Sequence, residues 1–123
     1  MAKGKLPPEQ LLADLQQFIG TTQWYKHPLY SKFVYTDGVR FLAANAGAYW
    51  LLEFIFSNQT LPKIRAEGFQ VWKIEVVDSK ATINVEEGND RVIKTFKIPY
   101  TDFPLDSFTL WFINGALLLP SEY

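Results

Sequence analysis

The residues most able to do chemistry are a single histidine, His27, and two acids, Asp37 and Asp102, each of which ends a Tyr-Thr-Asp tripeptide. Histidine is the side chain that acid–base catalysis near neutral pH uses first, and two carboxylates beside it could act as a pair. Such a site needs His27 within hydrogen-bond reach of one carboxylate, so separations well beyond about 8 Å would exclude it. The alternative is a hydrogen-bonded loop histidine with two acids that cap or turn the backbone. We favour it, and predict no catalytic residue, because a nucleophile and an orienting group are both missing.

Metal and cofactor chemistry lack their usual residues. The chain has no cysteine, which excludes disulfides, thiolate metal sites and cysteine nucleophiles, and one histidine does not make an ordinary zinc site. There is no G-x-x-x-x-G-K-[ST] phosphate loop, no G-x-G-x-x-G and no G-x-S-x-G motif. We therefore expect no metal and no cofactor, and the sequence leaves a small-molecule ligand open. A hard-cation site built from Asp and Glu also stays open, although residues 78–90 depart from the Ca²⁺-loop spacing.

The charge balance and the apolar segments bear on partners and location. Twelve basic and thirteen acidic residues leave a formal net charge of −1, too little for a strong field toward nucleic acid or an anionic membrane. Residues 39–56 approach the length of a membrane span, but Arg40, Asn45 and Glu53 make that placement costly. The first residues do not resemble a signal peptide. We expect a cytoplasmic protein with no membrane partner.

Aromatic side chains are the strongest functional signal. The chain has 10 Phe, 6 Tyr and 4 Trp, most of which should lie in the core. Tyr and Trp also make interface hot spots. We predict a protein-interaction module, self-associating through an aromatic rim and the helix of residues 46–56. The predicted binding residues are Trp24, Tyr25, Tyr35, Tyr49, Trp50 and Tyr100.

Two other functions stay open. A single-strand nucleic-acid binder would use the polar face of the predicted sheet, on which Phe69 is the only aromatic residue we expect, although stacking usually needs several. A small acid–base enzyme would use His27, Asp37 and Asp102 if the two Tyr-Thr-Asp segments meet in space.

The first half of the chain predicts helices. Pro7-Pro8 opens a helix whose apolar positions run to Ile19, with Gly20 as its stop. Two further helices follow, divided at Asn45–Gly47 because glycine is costly inside a helix and favourable at its end.

The second half predicts strands joined by turns at Asp78-Ser79 and Gly88-Asn89. Two-residue turns there pair Val76 with Ala81, Ile74 with Ile83, Trp72 with Val85, Val85 with Val92 and Ala81 with Phe96. These pairs give one apolar face, broken only by Lys94. Residues 108–113 predict a fourth strand. We expect a single α+β domain over 1–123, an antiparallel meander of about four strands with N-terminal helices packed on one face.

Both Tyr-Thr-Asp tripeptides end an extended segment. Asp37 precedes a helix and is predicted to cap it, whereas Asp102 stands before Pro104 in a predicted turn. The two tyrosines, Tyr35 and Tyr100, are expected to point their rings inward.

The blocks "YTDG…AGAYWLL…FQVWK…YTDFPL…LLPSEY", from about Trp24 to Tyr123, resemble a family of small bacterial proteins of unknown function. The resemblance implies a complete, cytoplasmic domain. It brings no activity, cofactor or catalytic residue with it.

Overall fold

In a computed structural model, which describes residues 6–21, 23–89 and 91–123, the chain packs helices onto a sheet of seven strands. The helices are α1 (Pro8–Leu15), α2 (Asp37–Ala46), α3 (Tyr49–Ser57) and α4 (Pro62–Arg65). The strands are β1 (Tyr25–Lys26), β2 (Val34–Tyr35), β3 (Phe69–Val77), β4 (Lys80–Glu87), β5 (Val92–Ile98), β6 (Ser107–Ile113) and β7 (Ala116–Leu118). Short 3₁₀ turns occupy Asn58–Thr60 and Pro120–Glu122. No helix in the described part of the chain is both long and apolar enough to cross a bilayer.

The predicted division between α2 and α3 is confirmed. Gly47 ends α2 in the left-handed conformation (φ 62°, ψ 40°), and its N–H donates to the carbonyl of Ala43. Helix α3 then enters the core with four buried side chains: Leu51, Leu52, Ile55 and Phe56. Because these residues pack inside the domain, α3 offers a partner far less apolar surface than its sequence suggests.

The prediction that the first helix continues to Gly20 is wrong. Helix α1 ends at Leu15, and the Phe18 N–H donates to the Leu15 carbonyl in the turn that follows. This turn places the Phe18 ring 5.4 Å from the ring of Phe41 on α2. Packing against α2 therefore overrides the helical spacing of the apolar residues.

The hairpin of β3 and β4 has the predicted register. Asp78 and Ser79 both have positive φ (53° and 62°), as a two-residue type I′ turn requires. The predicted pairs all form: Val76 with Ala81, Ile74 with Ile83 and Trp72 with Val85.

The register predicted between β4 and β5 is wrong by two residues. The observed pairs are Val85 with Lys94, Ile83 with Phe96 and Ala81 with Ile98. The Glu87 N–H donates to the Arg91 carbonyl, so three residues rather than two separate the paired ends. A β-bulge follows at Glu86. Glu86 pairs with Val92, so Val92 lies on the face of the sheet opposite to the core. The Phe96 ring still lies on the core side, stacked 6.2 Å from Trp72.

The sheet is mixed and larger than the predicted four-stranded antiparallel meander. Its order is β1-β2-β7-β6-β3-β4-β5, with β2 parallel to β7 and the other neighbours antiparallel. The missed strand β7 follows a two-residue turn at Asn114-Gly115, both with positive φ (50° and 90°). Strands β1 and β2 have two residues each, too few to produce a periodic pattern.

The two faces of the sheet differ in what covers them, and the α+β class is confirmed. Trp72, Leu110 and Phe112 point toward the helices and are buried. We call the other side the outer face, defined by Val71 and Lys73 and by the residues paired with them. The prediction that Phe69 is the only aromatic residue of this face is wrong, because Trp111 pairs with Val71 and its ring lies 5.1 Å from Phe69.

Candidate binding site around Arg40

The first Tyr-Thr-Asp tripeptide ends β2 and begins α2. The predicted cap was Asp37, but the hydroxyl of Thr36 accepts the N–H of Val39 at 3.2 Å, and Asp37 is the first helical residue. In the second tripeptide the hydroxyl of Thr101 likewise accepts the N–H of Phe103, at 3.1 Å. Both tripeptides therefore stop an extended segment, and in both the short threonine hydroxyl binds a backbone N–H just ahead of it.

A carboxylate from the far end of the chain lies at the start of α2. Glu122 accepts hydrogen bonds from the Thr36 hydroxyl at 2.5 Å, the Gly38 N–H at 3.0 Å and the Leu119 N–H at 3.0 Å. A Cβ on Gly38 would lie 2.6 Å from Leu119 Cδ1 and 2.8 Å from Glu122 Oε1, which explains the glycine. The backbone N–H groups of Gly38 and Val39 at the start of α2 thus have hydrogen-bond acceptors within the protein, on Glu122 and Thr36.

Three tyrosines predicted as binding residues gather around one cation. Tyr25 and Tyr35 are opposite each other on β1 and β2, with ring centroids 5.7 Å apart. The Tyr25 hydroxyl donates to Asp37 Oδ1 at 2.9 Å and accepts from Arg40 Nη1 at 3.3 Å. The Arg40 guanidinium lies 4.7 Å from the Tyr25 ring centroid, in cation–π contact. Tyr49, from the start of α3, lines the same concavity of about 630 Å³, which we call the Arg40 hollow.

The charge states at the hollow follow from these contacts. Burial raises the pKa of the Tyr35 hydroxyl above its ordinary value of 10.0, so this phenol stays neutral at physiological pH. The hydrogen bond to Tyr25 raises the pKa of Arg40, which is exposed and remains a cation. The Tyr25 hydroxyl therefore joins two charged groups of the hollow: it accepts a hydrogen bond from the Arg40 guanidinium and donates one to the Asp37 carboxylate.

The remaining predicted binding residues do not all join the hollow. Trp24 is exposed (54%) immediately before Tyr25, whereas Trp50 is partly buried against the core. Tyr35 is only 8% exposed and does not line the hollow, so it offers a partner little surface. Tyr100 was expected to point inward, but it is 71% exposed.

The two tripeptides lie far apart. Thr36 donates its N–H to the Leu117 carbonyl on β7, at the level of Gln70 on β3, whereas Thr101 donates to the Ser79 carbonyl in the β3–β4 turn. Seven positions of β3 separate Gln70 from the last residue of that strand, about 23 Å at the usual strand rise. Asp37 and Asp102 are therefore not brought together.

His27 is paired with an acid that the sequence did not suggest. It is 4% exposed, its Nδ1 accepts the Leu29 N–H at 3.0 Å, and its Nε2 lies 3.4 Å from Glu53 Oε2. Both ring nitrogens therefore have neighbours within the protein, the Leu29 N–H at Nδ1 and the Glu53 carboxylate at Nε2. In the β1–β2 register His27 is level with Phe33, four positions before Asp37, or about 13 Å of extended chain. The strand pairing thus places His27 and Asp37 at different levels of β1 and β2.

Sequence reasoning missed a second concavity, of about 350 Å³, at the opposite end of α3. Its apolar wall comes from Phe33, Phe56 and Phe112, which are far apart in sequence. We call it the Phe112 cavity. One sequence signal could have suggested it: the Asn114-Gly115 turn brings Phe112 back beside the loop that carries Phe33. In the described ranges no group of three metal-ligating side chains occurs.

Comparison with known proteins identifies a family. The model of a family described as "Family of unknown function (DUF6876)" matches residues 9–123. No curated protein and no solved structure matches the chain. Because the match covers almost the whole sequence, the chain belongs to the family of unknown function DUF6876.

Proposed function

We propose that this protein is a non-catalytic interaction module that self-associates through the Arg40 hollow. The observation that supports this function is the arrangement of Arg40, Tyr25 and Asp37. An exposed guanidinium is fixed on an aromatic ring and shares a hydroxyl with a carboxylate. Arg and Tyr are among the residue types that dominate interface energetics, and a pre-organised Arg loses little entropy on binding.

A second copy of the chain is the partner that the charges of the hollow favour. A twofold contact places the same patch opposite itself, so the patch must be complementary to itself. The Arg40 hollow contains one cation and one anion within a single turn of α2, so two copies can match opposite charges. The formal net charge of −1 adds little repulsion between copies. Tyr49, which lines the hollow and is 45% exposed, supplies apolar area.

Analytical ultracentrifugation from low micromolar to millimolar concentration tests this function. We expect a concentration-dependent dimer for the natural chain and at least about tenfold weaker association for Arg40→Glu, which places like charges opposite each other. Lys63→Glu on α4 is the matched control: it makes the same charge change at an exposed residue that does not line the hollow. A monomer at every concentration, or equal effects of the two variants with unchanged melting temperatures, would contradict the proposal.

A second candidate, single-strand nucleic-acid binding, gains support from the aromatic residues of the outer face. Trp111 contacts both Phe69 and Tyr123, at 5.1 and 5.5 Å between centroids, which makes a row of rings on which bases could stack. The outer face offers little positive charge for phosphate groups, because Lys73 already forms an ion pair with Glu86 at 3.1 Å. Titration with oligothymidylate at low salt, followed by tryptophan fluorescence, decides between the candidates. No quenching at low salt excludes nucleic acid, whereas quenching that salt abolishes favours it over self-association.

A further inference from the structure

The Phe112 cavity has the form of a small-molecule site. It opens where the end of α3 and α4 meet the ends of β3 and β6, and its volume of about 350 Å³ lies at the small end of the range for ligand pockets. The Phe33 ring lies 5.4 Å from Phe56 and 5.4 Å from Phe112, the latter edge to face. Tyr30 extends this wall, 6.1 Å from Phe56. Aromatic faces and edges in this arrangement favour a flat apolar guest.

The back of the cavity is already rigid. Gln59 and Gln70 form a reciprocal amide pair, with N···O distances of 2.8 and 2.9 Å. Gln70 also donates to the Ile64 carbonyl at 2.8 Å and accepts the Trp72 indole N–H at 2.9 Å. Gln70 is 1% exposed, and the protein satisfies the hydrogen bonds of this buried network. A satisfied network fixes the shape of the cavity before a ligand arrives.

The mouth of the cavity carries the cations Lys32 and Arg65, the Glu67 carboxylate and the Tyr30 hydroxyl. Lys32 Nζ lies 5.9 Å from the ring centroid of Phe33, in cation–π contact. Neither Lys32 nor Arg65 forms an ion pair with any residue that the structure describes. Arg65 makes only a long hydrogen bond, 3.4 Å, to the Thr60 carbonyl. Across the described ranges, the Tyr30 hydroxyl and the Glu67 carboxylate also have no side-chain hydrogen bond. Two cations against one carboxylate make this mouth net positive.

We propose that the Phe112 cavity binds a small aromatic carboxylate. The ring would lie against Phe33, Phe56 and Phe112, and the carboxylate would meet Arg65 and Lys32 at the mouth. A planar guanidinium matches a carboxylate with two parallel hydrogen bonds, whereas the lysine adds a point charge. The volume equals that of about a dozen water molecules, which suits a guest of one or two fused rings. This site is separate from the Arg40 hollow, with which it shares no lining residue.

The test uses naphthoate as the probe and naphthamide, its neutral isostere, as the comparison, both titrated into the full chain by calorimetry and NMR. We expect naphthoate to bind at least about tenfold more tightly than naphthamide, because only the acid makes charge-assisted hydrogen bonds. Arg65→Gln should weaken naphthoate about tenfold and leave naphthamide unchanged. Lys63→Gln is the control, since it removes a cation from the same short helix outside the cavity. Glu67→Gln should tighten naphthoate by up to about fivefold.

Location is tested separately from charge. Thr60→Trp places a large ring at the mouth of the cavity from an exposed position, so it should abolish binding of both probes while the melting temperature is kept. Saturable binding of naphthoate with the predicted order of variants supports the site. Absence of saturable binding, equal affinity for acid and amide, or undiminished binding by Thr60→Trp would each overturn the proposal.

Discussion

Removing the Glu122 carboxylate should destabilise the domain strongly although the residue is second from the end of the chain. Terminal residues usually tolerate change. Here Glu122→Ala deletes the acceptor for the Thr36 hydroxyl and for two backbone N–H groups, those of Gly38 and Leu119. Gly38 is buried, so its N–H would have to be rehydrated inside the protein or stay unpaired.

The size of the effect follows from these three contacts. A hydrogen bond to a charged group contributes about 1.5–3 kcal/mol when well buried, and an acid at a helix start adds about 0.3–1 kcal/mol. Glu122 is partly exposed, so water replaces some of this, and we expect Glu122→Ala to cost about 2–4 kcal/mol. Glu122→Gln keeps the shape and one acceptor oxygen, so it should cost about half as much. For a domain of this size, each kcal/mol corresponds to a fall in melting temperature of roughly 3–6 °C.

Thermal and urea unfolding followed by circular dichroism measure these costs. Glu9→Ala is the control, because Glu9 also lies in the first turn of a helix but is exposed and has no described side-chain partner. Gly38→Ala sharpens the test: helix propensity alone predicts a gain of about 1 kcal/mol, whereas the clash with Glu122 predicts a loss. A gain for Gly38→Ala would refute the reasoning. So would additivity of Glu122→Ala and Thr36→Val within about 0.5 kcal/mol, since coupled partners are non-additive.

Two further predictions concern the core and the hollow. Gln70→Leu should cost about 3 kcal/mol or more in urea unfolding, because it removes the partner of the Gln59 amide oxygen, of one Gln59 N–H and of the Trp72 indole N–H in the interior. Gln59 would keep only its hydrogen bond to the Ile55 carbonyl, and a loss below about 1 kcal/mol would contradict the network. Because burial raises the pKa of Tyr35 in the folded protein, the unfolded chain releases the Tyr35 proton first as pH rises. The stability that this neutral hydroxyl contributes is therefore fully present below pH 10.0, and it is lost as pH rises from 10.0 through the folded-state pKa. Melting curves on both sides of that pH should therefore show a smaller alkaline loss for Tyr35→Phe than for the natural chain, and parallel losses would disprove it.

The sequence predicted best where local rules alone decide. The β3–β4 register was correct because Asp78 and Ser79 can take positive φ and alternating residues on both strands agreed on one face. The β4–β5 register was predicted wrongly because the connection has one residue more than expected. The bulge at Glu86 adds a second shift of one residue, so the core-facing positions of β5 still alternate as predicted and the pattern does not reveal the error. Local pattern could not report the parallel pairing of β2 with β7, whose partners are about eighty residues apart.

The candidate site was predicted by residue type but not by partner. Tyr25 and Tyr49 were selected as aromatic residues at element ends, and they do lie in one hollow. Arg40, which joins them, entered the sequence argument only as a charge that opposed membrane insertion. Glu53, the partner of His27, was treated in the same way. A helix face is set by packing, so the direction of a charged side chain on α2 or α3 follows from the tertiary fold.

The two Tyr-Thr-Asp tripeptides show why a repeated motif need not mean a repeated role. In both, the threonine is buried and binds a backbone N–H ahead of it, so the tripeptide encodes only the end of an extended segment. The next residue decides the rest. Gly38 has no Cβ, which lets the Glu122 carboxylate reach the helix that follows. Phe103 instead inserts its ring into the core, and the proline that follows it disfavours the helical conformation at Phe103. The structural unit is therefore "YTDG" together with a glutamate from the other end of the chain.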